Sequence, residues 1–243
     1  MKFGIIGVGN IGSVLAEKLV NNGYDVKIAD VRGIERLEGK DVVGERVSVE
    51  DVVKDIDVLI ASIPLHALPS IKSIVSKVSE EVIVVDTSNY YPERDTQIEE
   101  IEKGMVESVW VSKQLGRPII KTFNNLLALT LKNGGTAKGT DGRIAITVAG
   151  DRDDQKKVIM DIVSELGFDS VDSGSLSESW RQQPGTPAYC TELTKDELME
   201  ALKKANKEKS PRMREKVMKS FLSATADLSH EDVVRTNREI YNS

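Results

Sequence analysis

The chain has one cysteine, Cys190, in 243 residues. No intrachain disulfide can form, and the composition fits a reducing compartment, the cytoplasm. A lone thiol with no obvious activating partner reads as structural rather than nucleophilic. Histidine is equally scarce: His66 and His230 are the only two, and they are far apart. No cysteine or histidine cluster with zinc-ligand spacing exists, so no metal site is expected. Long apolar runs are missing too, so no membrane span is expected. The first apolar stretch turns at Gly7 after a few residues, like a buried strand and unlike a signal peptide. Basic charge is not in excess: 33 Lys and Arg face 39 Asp and Glu, giving a net charge of −6. That balance excludes a nucleic-acid-binding surface built on charge. No internal repeat is visible. What is left, 40% hydrophobic and 30% charged residues, is the composition of an ordinary globular domain with room for a smaller appendage.

Glycine, by contrast, is placed where it matters. Residues 2–6 form an apolar strand that runs into Gly7-Val8-Gly9-Asn10-Ile11-Gly12. Helical spacing of Ile11, Val14, Leu15 and Leu19 follows, and a second strand, 26–30, ends in Asp30-Val31-Arg32-Gly33. The G-x-G-x-x-G spacing closes a strand, opens a helix and precedes an acid at the end of the next strand, which is the dinucleotide-binding arrangement. Gly7 makes the turn, Gly9 admits a pyrophosphate to the backbone, and Gly12 allows close helix–strand contact. Asn10 and Ile11 begin the helix whose positive end would hold the pyrophosphate. Asp30 would accept from a ribose 2′-hydroxyl and favour NAD, whereas Arg32 would pair with a 2′-phosphate and favour NADP.

The remaining pattern alternates. Strands are expected at 57–63, 82–86, 118–122, 143–148 and 168–171, with a short one near 46–48. Helices are expected at 49–54, 66–77, 95–115, 124–132 and 153–166. This predicts an α/β fold, a doubly wound Rossmann-type parallel sheet over residues 1–175. Residues 176–243 are expected to be a loop around Trp180, Pro184 and Pro187 followed by a small, charged helical appendage, opened by a capping-box signal at Thr194 to Glu197. In such a sheet ligands bind beyond the carboxyl ends of the strands. Those ends carry Gly7–Gly12, Asp30 to Arg32, Ile63-Pro64-Leu65-His66, Asp86-Thr87-Ser88-Asn89-Tyr90 and Phe123-Asn124-Asn125. Some of these side chains fit local roles as well: Asp86 and Ser88 can bond nearby backbone, and Asn124 can cap the next helix.

Gly7 to Gly12, the Arg32 position, Ile63-Pro64, Asp86-Thr87-Ser88-Asn89 and Lys121-Thr122-Phe123-Asn124-Asn125, with Val148-Ala149-Gly150-Asp151, Val158-Ile159-Met160-Asp161 and Asp172-Ser173-Gly174-Ser175-Leu176, resemble the F420-dependent NADP oxidoreductase family. The chain is also similar to the NADPH oxidoreductase domain of the six-transmembrane epithelial metalloreductases. The resemblance covers about residues 1–180. It implies NADP as cofactor and hydride transfer between nicotinamide and a deazaflavin (F420) or a flavin such as FMN or FAD. The family carries a small residue and a serine before the arginine; here they are Asp30 and Val31, which keeps NAD as the alternative. Ring-to-ring transfer needs orientation more than acid–base chemistry. On this reading Ile63 and Pro64 wall the nicotinamide. Ser88, Asn89 and Asn124 hydrogen-bond its carboxamide, the ribose or the acceptor, and Phe123 packs on a ring edge. His66 steadies the acceptor or supplies a proton. Trp180 and the Pro184–Pro187 loop cover the acceptor or fasten the C-terminal helices. A homodimer is expected by resemblance. Two other functions fit the N-terminal pattern: a reductase of a small hydroxyacid or imine, and a non-catalytic NADP(H)-binding redox sensor.

Overall fold

The computed structural model describes residues 1–224 and 226–241; position 225 and the last two residues of the expected helical appendage lie outside them. In chain order the elements are β1 (Lys2–Ile6), α1 (Asn10–Asn21), β2 (Asp25–Ala29), β3 (Glu45–Arg46), β4 (Val58–Ala61), α2 (Lys72–Val75), β5 (Ile83–Asp86), α3 (Pro92–Asp95), α4 (Glu99–Glu102), α5 (Glu107–Leu115), β6 (Ile120–Thr122), α6 (Ala128–Asn133), β7 (Ala145–Ala149), α7 (Asp153–Glu165), β8 (Asp169–Gly174), α8 (Lys195–Lys204), α9 (Ser210–Leu222) and α10 (His230–Tyr241). Short 3₁₀ turns occupy Ile34–Leu37, Leu65–Ile71 and Leu176–Gln182. The strands form one sheet in the order β3-β2-β1-β4-β5-β6-β7-β8. Chain reversal between β1 and β4 leaves a crevice at the strand ends there, the switch point of a doubly wound sheet.

The central strands are apolar throughout because both faces are covered. One layer sets Val14, Leu15 and Leu19 of α1 and Ile159, Ile162 and Val163 of α7 against Phe3, Ile5, Val85 and Ile146. The other sets Leu65, Leu68, Ile71, Trp110 and Val111 against Ile6, Leu59 and Val84. No helix among the described residues is long and apolar enough to cross a membrane.

The sheet is mostly parallel, with one departure from the expected all-parallel order. β7 pairs antiparallel with β6, Lys121 opposite Ala149 and Thr122 opposite Val148, while β8 follows β7 in parallel. The connection accounts for it. α6 has six residues and advances the chain only about 9 Å, too little to return it along the sheet as a crossover helix does. The carboxyl ends of β7 and β8 therefore do not join the row made by β2, β1, β4, β5 and β6.

Several helices are shorter than their sequence pattern implied. The acid-rich run expected as one helix over 95–115 is three pieces, broken at Thr96 (φ +59°) and Gly104 (φ +96°), both in the left-handed region. Residues 49–54 are turns rather than a helix. The run from 66 is a 3₁₀ segment containing Pro69 followed by the single turn of α2. The capping box is present: the Thr194 side chain meets the backbone of residue 197, and the Glu197 carboxylate accepts from Thr194 N–H at 2.9 Å. α8 buries Leu198, Ala201 and Leu202 against Ala145 and Val171. α9 and α10 place Val217 and Tyr241 on Tyr189 and Cys190, with Tyr91 and Leu127 from the loops after β5 and β6 beside them. The C-terminal helices thus reach the strand-end side of the sheet.

Candidate functional site at the strand ends

The site begins at the β1–α1 turn. Gly7 has φ +97°, and its N–H donates to Ala29 O at 2.8 Å. A Cβ on Gly12 would lie 1.9 Å from Gly7 O, so only glycine lets α1 approach β1 this closely. Gly9 is different: a Cβ there would meet nothing within 4 Å. It faces open space at the start of α1, where no side chain caps the helix and no acid occupies the first turn. Asn10 is exposed and Ile11 half-buried at that end. The helix start therefore keeps N–H groups for an external anion, strengthened by the helix dipole.

At the end of β2, Asp30 and Arg32 hold each other. The Asp30 carboxylate is 6% exposed. It accepts from Arg32 Nε at 3.0 Å and Nη2 at 2.9 Å, and from the Arg32 backbone N–H at 3.0 Å. The guanidinium bond holds the Asp30 carboxyl below its ordinary range, with burial working against it. Arg32 stays 62% exposed in its side chain. The two residues that argue for different nucleotides are one unit. Two guanidinium N–H groups are on Asp30, and the others remain for a ligand.

Beyond β4, Ile63 is buried and Pro64 exposed, at the start of the 3₁₀ segment. His66 lies on that segment. Its Nδ1 is 2.8 Å from Asp95 Oδ1, although its side chain is 47% exposed and Asp95 is fully buried. Asp95 also accepts from Arg94 Nη2 at 2.6 Å and Tyr91 N–H at 2.9 Å. Burial raises its carboxyl, but Arg94, the Tyr91 N–H and His66 outweigh that and leave it below the usual range.

The loop after β5 is clamped from beneath. Asp86 Oδ1 accepts from Ser88 N–H at 2.9 Å, and Asp86 Oδ2 pairs with Lys121 Nζ at 2.7 Å. Lys121 Nζ donates as well to Ser88 O. Asp86 and Lys121 are fully buried. The Ser88 hydroxyl is buried without a partner among the described residues. Asn89 and Asn124 face each other: Asn124 Nδ2 donates to Asn89 Oδ1 at 3.0 Å, and Asn89 Nδ2 to Asn124 O at 3.1 Å. Asn124 Nδ2 further donates to Gln182 O at 2.9 Å, and Asn124 Oδ1 accepts from Gln182 Nε2 at 3.0 Å.

Not every expected residue faces the crevice. Asn124 does not cap α6, which starts four residues later with Leu127 at its N-cap position; its amide is saturated inside the protein. Phe123, expected on a ring edge, is 2% exposed in the hydrophobic layer beneath α1, with φ +58°. Trp180 lies in the 3₁₀ turn packed against α5, with the Arg181 guanidinium 4.4 Å from its ring centroid. Cys190 is buried and its thiol is pushed up to about 12 by burial, so it is inert at neutral pH. Among the described residues no group of three or more potential metal ligands exists. Lys121, Asp95 and Gln182 were not anticipated. Only Lys121 left a signal, a lysine inside an otherwise apolar strand.

A glycine turn at the switch point, an uncapped helix start and a paired acid and arginine at the next strand end define a dinucleotide-binding oxidoreductase fold. Residues 2–90 match the model of the family described as NADP oxidoreductase, coenzyme F420-dependent. YjhV of Escherichia coli (strain K12) is 36% identical over 124 residues, 51% of this chain and 83% of YjhV. Rat metalloreductase STEAP3 is 24% identical over 180 residues, 73% of this chain but 35% of its own length. Among solved structures, the protein SMa0349 of Sinorhizobium meliloti superposes with a TM-score of 0.67 at 31% identity, covering 81% of this chain and 96% of that one. A structure from Arthrobacter sp. FB24 assigned as an F420-dependent NADP reductase gives 0.61 at 17% identity, covering 74% and 87%, and supports the fold alone. The chain belongs to the F420-dependent NADP oxidoreductase family.

Proposed function

We propose that the chain is an NADP(H)-dependent oxidoreductase whose redox partner is a planar ring of deazaflavin (F420) or flavin type. The observation that carries this reading is the open, uncapped start of α1 over Gly9 beside the exposed guanidinium of Arg32. The residues present fit the cofactor. Gly7, Gly9, Asn10, Ile11 and Gly12 hold its pyrophosphate, and Arg32, fixed by Asp30, pairs with the 2′-phosphate. Ile63 and Pro64 form the wall of the nicotinamide pocket. The unpaired Ser88 hydroxyl gains its missing partner from a bound polar group. When bound, the nicotinamide supplies hydride chemistry; the protein orients the two rings and excludes water. Asn89 and Asn124 shape the acceptor side through their mutual bonds. The nucleotide-binding body spans 1–175, and 176–243 covers the acceptor side or a homodimer contact. A cytoplasmic location suits the one buried thiol.

A sensor that binds NADP(H) without turnover is the second reading. It is favoured by the saturation of the Asn124 amide, which leaves fewer free groups for a second ligand. Anaerobic oxidation of NADPH and NADH against F420, FMN and FAD, followed by nicotinamide absorbance, decides between them. Turnover of NADPH with one acceptor is the expected result. Tight NADPH binding with no turnover would favour the sensor.

A further inference from the structure

The pair formed by His66 and Asp95 has the geometry of a proton-transfer dyad. The two residues are 29 positions apart, on the segments that follow β4 and β5, and meet at the strand ends flanking the proposed nicotinamide wall. Asp95 is fully buried and ionised. It spends its oxygens on Arg94, the Tyr91 N–H and His66. A carboxylate can only accept, so the His66 nitrogen facing it, Nδ1, carries the proton. Nε2 is left as the working atom on a half-exposed ring, with solvent available to recharge it. A buried acid that fixes the tautomer and orientation of a histidine whose other nitrogen faces outward is the division of labour in acid–base catalysis. Among the described residues Asp95 is the only ion-pair partner of His66. The elements packed on its segment, α2 and α5, carry Lys72, Glu107 and Lys113, and none of them bonds to the ring.

We infer that His66 is a catalytic acid and Asp95 its positioning residue, and that the acceptor therefore belongs to the class that takes a proton on a heteroatom as it takes hydride on carbon. This rests on the oxidoreductase reading above. The balance is simple. NADPH gives up a hydride, two electrons with one proton, to an electrophilic carbon of the acceptor. The conjugated C=N or C=O group shifts its electron pair onto nitrogen or oxygen. That atom takes the Nε2 proton of the doubly protonated His66 ring, which is left as the neutral Nδ1–H form and regains a proton from water. A deazaflavin, and a carbonyl or imine compound, share this chemistry.

Two measurements test the inference. The first is the ¹⁵N spectrum of the nucleotide-free protein, which reads the tautomer directly. Neutral His66 protonated on Nδ1, with this preference lost in Asp95→Asn, is expected; an Nε2–H tautomer overturns the dyad. The second compares wild type with His66→Gln and Asp95→Asn across pH, using the deazaflavin as acceptor. His66→Gln, on an exposed side chain, should lower kcat with the deazaflavin about 10²-fold at neutral pH, leave NADPH affinity intact and remove the limb of the pH profile where imidazolium is lost. Asp95→Asn should lower kcat in the same direction. Wild-type turnover with an unchanged His66→Gln rate and pH profile overturns the dyad while sparing the oxidoreductase reading. If wild type turns over no acceptor, that reading fails, and the catalytic role of His66 falls with it.

Discussion

Arg32→Ala tests the nucleotide assignment at the point where the sequence is ambivalent. In the structure the guanidinium donates two side-chain bonds to Asp30 and keeps the rest of its donors toward solvent. Asp30 therefore serves as a brace for Arg32 more than as a rival to it. A charge-assisted contact to a 2′-phosphate is worth about 1.5–3 kcal/mol when shielded. The Arg32 side chain is 62% exposed, so screening pulls the value toward about 1–2 kcal/mol. Loss of the side chain should weaken NADPH binding about five- to thirtyfold. NADH should bind as before or a few-fold better, because the freed Asp30 carboxylate can then accept from the ribose 2′-hydroxyl. Calorimetric titration of both nucleotides into both proteins measures the two ratios. Repetition at higher salt should shrink the NADPH loss, since an exposed charge pair is screened. An equal loss for NADH and NADPH would refute the reasoning, for it would place Arg32 on the pyrophosphate or in the fold.

The glycine turn separates stability from binding. Gly12→Ala places a methyl 1.9 Å from Gly7 O and should cost about 1–3 kcal/mol or more in urea unfolding, whereas Gly9→Ala, with open space around its Cβ, should leave stability within about 0.5 kcal/mol and still weaken nucleotide binding. Burial pushes the fully buried Glu107 carboxyl up to about 7, against the opposing pull of Lys121, the Tyr90 N–H and Arg214. The folded chain therefore keeps a proton that the unfolded chain releases above about 4.5, and unfolding free energy should fall as pH rises from about 4.5 to about 7, by about 1–3 kcal/mol, then level off. Glu107→Gln should flatten that slope in denaturation curves taken across pH. Asn124→Ala and Gln182→Ala each strip partners from buried amides and should cost about 2–3 kcal/mol. Because they share a network, the double variant should cost less than the sum by about 0.5–3 kcal/mol.

The parts legible in the sequence are those whose cause is local. The glycine turn, the acid and arginine after β2 and the order of the strands follow from short-range spacing and apolar runs. The continuous helix over 95–115 was an illusion of composition: acids favour helical surfaces, but Thr96 and Gly104 adopt left-handed backbone that ends each turn. What stayed hidden depends on chain segments meeting in space. Asn124 is saturated by Gln182, 58 residues away and delivered by a 3₁₀ turn that packs on α5. The tie of Asp95 to His66 joins two loops and has no motif. The charge of the C-terminal helices hides what they cover. Their apolar stripes meet Tyr91 and Tyr189, whose hydroxyls bond at 2.8 Å.

The polar groups at the strand ends divide into those consumed beneath the surface and those left over, and the first kind explains the second. The fully buried ion pair of Asp86 and Lys121 is a poor source of stability, because both charges lose their hydration. Its use is geometric. Asp86 takes the Ser88 N–H and Lys121 takes the Ser88 carbonyl, so the backbone of that loop is gripped on both sides while the hydroxyl is left without a partner. The amides of Asn89 and Asn124 hold the next loop to the same standard. A site that aligns two flat rings requires rigid edges more than reactive side chains, and buried supporting bonds supply that rigidity. Lys121→Met, similar in volume, should therefore harm folding, by about 3–5 kcal/mol in unfolding, as well as function. It keeps the strand apolar but leaves Asp86 buried without its counter-charge and the Ser88 carbonyl unheld. Addition of Asp86→Leu should recover most of the lost stability, since it removes the orphaned charge, while nucleotide affinity and turnover stay low. Recovery of both together would show that the ion pair holds up the sheet and has no part in setting the loop.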